Sequence, residues 1–130
     1  MNYEELKNAI ENLADSQIVG FYLDPDLFSL RLDFAFDPNE VTSVELLNIY
    51  HILLSNDPVG NDGRSFLTFE ISFNRLNENR KDVLDSLGYM FEYNKERDKN
   101  FLGNEIYHLR IEGEICMHVI CANVRILKQL

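Results

Sequence analysis

No run of about 18 consecutive apolar residues occurs anywhere in the 130 residues, so nothing in the chain reads as a membrane-crossing helix. The opening MNYEELKNAIENL carries acids within its first five residues and lacks an apolar run of signal-peptide length, which predicts a soluble, cytosolic protein. Cysteine is scarce. Two thiols cannot build a disulfide framework, and in a reducing compartment both are expected to be free. Basic residues are scarce in the first half: from Met1 to Gly63, 12 acids face only Lys7 and Arg31, whereas from Arg64 onward 10 acids balance 10 bases. The net charge of −10 therefore resides in the first half. Phosphate contacts want clustered Lys and Arg, so nucleic acid is not the expected partner. There is also no glycine-rich phosphate loop, no G-x-S-x-G elbow and no metalloprotease helix, and no particular pair among the 22 acids is favoured for acid–base chemistry. No cofactor is expected.

What the chain does hold is core-forming material: 45% hydrophobic residues, with nine Phe and six Tyr. At this length residues 1–130 should form one globular domain that buries roughly two thirds of its unfolded surface. There is no repeat, linker or low-complexity tract.

Periodicity predicts an α+β fold: an antiparallel sheet of five or more strands, an N-terminal helix, and a helix near residues 77–87. In Asn2 to Asp15, Tyr3, Leu6, Ile10 and Leu13 recur at helical spacing, and Asn2 with Glu5 resembles a capping box. In LFSLRLDFAF the period changes to two, placing Phe28, Leu30, Leu32, Phe34 and Phe36 on one buried face with Arg31 and Asp33 opposite. QIVGFYL and the DPD turn at Asp24 to Asp26 make it a hairpin. Residues 41–54 combine a helix-start signal at Asp37, Pro38 and Glu40 with β-formers such as Val41, Thr42, Val44, Ile49 and Ile52; strand is slightly favoured over helix. SNDPVGNDGRS reads as a loop, and FLTFEISF as a strand with Leu67, Phe69, Ile71 and Phe73 on one face. In Asn77 to Leu87 a helix turns Val83, Leu84 and Leu87 inward and stops at Gly88. YMFEY reads as a short strand, KERDKNFLGN as a hairpin loop, and EIYHLRIE and EICMHVICANVRIL as two closing strands.

The last strand gathers Cys116, His118 and Cys121, with His108 just upstream. Extended backbone turns Cys116, His118 and Ile120 one way and Ile115, Met117, Val119 and Cys121 the other, so the two thiols face opposite sides. His108 can reach His118 across a hairpin, yet three or four converging zinc ligands are not supplied, and a mid-strand cysteine is more often a small buried apolar residue than a nucleophile. Neither a metal site nor a catalytic group is expected.

Two stretches, LDPDLFSLRLDFAF with VTSVELLNIYHIL and the terminal YHLRIEGEICMHVICANVRI, resemble the strand pattern of small acidic bacterial immunity proteins of polymorphic-toxin and contact-dependent growth inhibition systems. The resemblance spans about half of the chain and lies in pattern and size; it carries over no individual binding residue. It implies a non-enzymatic protein that binds the toxic domain of a cognate effector, often a cationic nuclease, and occludes its active site. The acidic first half suits a basic partner, and Asp24, Asp26, Asp33, Asp37, Glu40 and Glu45 are the candidate contacts. Asp33 lies on the polar side of its strand, and the others flank its ends or follow it. The alternatives are a small-ligand module or an enzyme whose site assembles only in three dimensions, an adaptor that binds through a strand edge, and acids that only solubilise.

Overall fold

A computed structural model describes residues 1–56, 66–76, 80–88 and 105–129. The readings of YMFEY, KERDKNFLGN and the loop beyond Asn56 lie outside them.

The α+β expectation holds, and the sheet closes on itself. Helix α1 (Tyr3–Glu11) leads into β1 (Gln17–Asp24), β2 (Ser29–Asp37) and β3 (Glu40–Asn56); β4 (Phe66–Leu76), helix α2 (Arg80–Ser86), β5 (Ile106–Gly113) and β6 (Ile115–Gln129) follow. The six strands form an antiparallel barrel in the order β1-β2-β3-β6-β5-β4. Residues 41–54 are strand, as their β-branched content favoured. β3 is long enough to pair with β6 from Val41↔Gln129 to Asn56↔Ile115 while pairing with β2 over its first half.

Alternation sets the core. Leu30, Leu32 and Phe34 of β2 point inward with Val44 and Leu46 of β3, Ile71 and Phe73 of β4, Leu109 and Ile111 of β5, and Met117, Val119 and Cys121 of β6. Two expected members of the β2 face lie outside. Phe28 is 66% exposed because β2 starts one residue later and Phe28 sits in the turn with φ +47°. Phe36 is 58% exposed because the β2–β3 register shifts between Ala35 and Asp37, leaving Phe36 without an opposing residue. In β4 a shift between Thr68 and Glu70 likewise turns Phe69 out and buries Thr68.

Among the described residues the seam between β1 and β4 has two pairs, Gln17↔Leu67 and Ile18↔Phe66. Helix α1 completes it. Asn2 caps the helix by accepting from the Glu5 amide at 2.8 Å, and Ile10 and Leu13 drop into the core. The neighbouring helix face carries Tyr3, Lys7 and Glu11 at four-residue spacing, which stacks them along one line. Glu11 Oε2 accepts from the Phe73 amide at 2.9 Å, the Tyr3 hydroxyl accepts from the Arg75 amide at 3.1 Å, and Lys7 Nζ donates to the Phe73 carbonyl at 2.8 Å. Side chains of α1 thus take the place of a strand along the β4 edge.

Helix α2 lies on the outer surface, where Leu84 packs with Leu76, Ile106 and Ile120, and Tyr50, Val83 and Leu87 close around them. Gly88 ends it at φ +80°, as expected of a left-handed terminal residue. None of the described helices is long and apolar enough to cross a membrane.

Candidate functional site

The six candidate acids do not share one surface. Asp24 and Asp26 are exposed on the β1–β2 turn, and Asp37 and Glu40 are exposed on the β2–β3 turn at the other end of β2. Nine residues of strand place these two tips roughly 25 Å apart. Within each turn the side chain shapes the backbone: Asp24 Oδ1 accepts from the amides of Asp26 at 3.0 Å and Leu27 at 3.3 Å, and Asp37 Oδ1 accepts from Asn39 N at 2.8 Å.

Asp33 and Glu45, between the tips, are neutralised. Asp33, a candidate contact on the polar side of its strand, is not open to a partner: it is 7% exposed, accepts from the Ser43 hydroxyl at 2.6 Å, and pairs with Arg31 Nε at 3.2 Å. Gly20 opposite makes room for it, since a Cβ there would lie 2.6 Å from Asp33 Oδ2. Glu45 Oε2 takes both Nε and an Nη of Arg125, at 2.8 and 2.6 Å. Neither carboxylate could turn to a partner without leaving its own cation.

The β1–β2 tip carries something the periodicity did not reveal. Leu23, Leu27 and Phe28 are 53%, 67% and 66% exposed, next to Asp24 and Asp26. Across from them β3 leaves the β2 ladder after Leu46; Asn48 takes φ +53°, and the Ile49 amide donates to the Phe28 carbonyl at 3.0 Å. Between turn and kinked strand lies an open groove of about 690 Å³, walled by Leu23, Asp24, Pro25 and Phe28 on one side and residues 48–52 on the other.

The histidine and cysteine cluster resolves as a sheet surface. Cys121 is buried, which pushes its thiol up to about 12, whereas Cys116 is exposed on the opposite face, as alternation required. His108 Nε2 and His118 Nδ1 meet at 2.9 Å with rings stacked 5.1 Å apart, so a proton on one nitrogen serves the lone pair of the other. Burial, His118 and the Arg110 guanidinium lower His108 to about 4; burial and Arg110 also lower His118, with Glu112 opposing. His51 Nε2 lies 2.8 Å from the Leu87 carbonyl, an acceptor only, so this nitrogen donates and ties α2 to the barrel wall. Among the described residues no three of His, Cys, Asp or Glu converge as metal ligands.

No protein-family model matches the chain, and no curated protein sequence matches it.

Proposed function

We propose that this chain is an immunity-type protein that binds a cationic toxin domain, a nuclease being the foremost class, and neutralises it by occluding its active site. The observation that carries the reading is how the acids divide. Asp33 and Glu45, within the sheet, hold cations of the chain itself, whereas Asp24, Asp26, Asp37 and Glu40, at the two ends of β2, form no ion pair among the described residues. A negative tip without an internal cation is open to Lys and Arg of a partner, and such charge raises association rates by about 10- to 1000-fold. The resemblance of the strand pattern to that of immunity proteins supports the same role.

The test is co-expression with the toxin domain encoded beside the gene, scoring survival and co-purification. Protection together with a stoichiometric complex is expected. The absence of both protection and complex would overturn the reading, while protection that persists after Asp26, Asp37 and Glu40 are changed to Lys would keep the function and discard these acids.

A further inference from the structure

The groove beside the β1–β2 turn is built in a way that core packing does not require. Phe28 holds a left-handed backbone, a conformation that a bulky side chain rarely adopts, and yet its ring is largely in solvent. The contact from the Ile49 amide fixes it there, and Asn48 on the facing strand is left-handed as well. Strain of this kind persists where the surroundings impose it and gathers at binding sites. Leu23 and Leu27 are exposed close by in sequence, and large apolar side chains exposed together beside polar residues mark an interaction site.

We infer that this groove is the docking site for a basic segment of a partner protein, which inserts one or two bulky apolar side chains while flanking Lys or Arg residues meet Asp24 and Asp26. The volume, about 690 Å³, exceeds what one side chain fills and suits a short segment. Charge selects the occupant. Among the described residues neither Lys nor Arg lines the groove, Asp24 does, and Asp26 stands two residues on. The turn uses only Oδ1 of Asp24, so Oδ2 is left for a cation. Apolar walls that include Phe28 and Leu23, with the Asp24 carboxylate beside them and Leu27 and Asp26 nearby, suit a partner whose few buried anchors carry most of the affinity. The inference rests on the reading of a cationic protein partner and names the surface that receives it.

The probe is a short fluorescein-labelled peptide with a central Leu-Phe pair between lysines, titrated into the full chain and mapped by heteronuclear NMR, beside a peptide in which glutamates replace the lysines. Shifts confined to residues 23–28 and 48–52, with the basic peptide bound about tenfold or more tightly than the acidic one, are expected. Phe28→Gly should weaken binding about tenfold without lowering Tm, because glycine accepts the left-handed backbone, and Asp26→Lys should weaken it comparably. Equal binding of the two peptides, shifts elsewhere, or a Phe28→Gly chain that binds as before would overturn the inference. If the toxin domain is neutralised equally well by the Phe28→Gly chain, the groove falls and the function stands. If no toxin complex forms and the basic peptide still occupies the groove, the function falls and the groove stands.

Discussion

Asp33 shows how a buried charge within a sheet surface is held by groups of the chain itself. Its carboxylate has a hydroxyl donor in Ser43 and a guanidinium in Arg31, which also stacks over the Tyr22 ring with its carbon 4.4 Å from the centroid. The space comes from Gly20, so Gly20→Ala should drive the new methyl into Asp33 Oδ2 and the Tyr22 ring and lower stability by about 1–3 kcal/mol, read from urea unfolding. The paired imidazoles make a second residue-scale case. Unfolded, His108 titrates near 6.5; folded, it resists protonation down to about 4. Between those values the unfolded chain binds more protons, so stability that is complete above about pH 6.5 should drain away as pH falls toward 4. The pair is partly open to solvent, so the loss should be on the order of 1 kcal/mol, and His108→Gln should flatten this part of a urea-midpoint against pH curve. That the two histidines could meet was legible, since alternation put His118 on a known face with His108 within reach. That Asp33 is buried was not: its cover comes from residues of three strands whose register the sequence does not write.

At the scale of elements, α1 does two tasks with two faces. Leu6 and Ile10, with Leu13 just beyond its end, give it a place in the core, and Tyr3, Lys7 and Glu11 hold the β4 edge. Glu11→Ala leaves the half-buried Phe73 amide without its acceptor and should cost about 1–3 kcal/mol, with faster hydrogen exchange at that amide; Glu11→Gln retains an oxygen and should lose less. Helical spacing identified the apolar face, but nothing in it distinguishes a solvated Glu from one that closes a sheet. The strands tell a similar story. Strict alternation placed Leu30, Leu32 and Phe34, and Leu32→Ala should cost about 2–5 kcal/mol as a fully buried large-to-small change, measured by the same urea titration. It failed at Phe36 and Phe69 because a bulge shifts the phase by one residue without leaving a local signal. It failed at Phe28 because the turn extends one residue further than the apolar pattern implies.

For the molecule as a whole, the candidate acids read as one face lie in three dimensions at two tips, with Asp33 and Glu45 paired between them. This changes what a partner meets. Steering by the tips should make the association rate with a basic toxin domain fall steeply between low and physiological salt, as seen by stopped-flow, and Asp37→Lys with Glu40→Lys should slow association while leaving dissociation from the groove at the opposite tip nearly unchanged. The candidate acids were individually legible. Their separation was not, because it depends on where β2 begins and ends. The ladder between β3 and β6 carries a further consequence, for synthesis. Val41 pairs with Gln129 and Ile49 with Cys121, so one edge of β3 stays unpaired until β6 has been made. The β1–β2–β3 and β4–β5 pairings can form before β6, whereas closure of the barrel waits for it and joins residues far apart in sequence, the kind of contact that forms slowly.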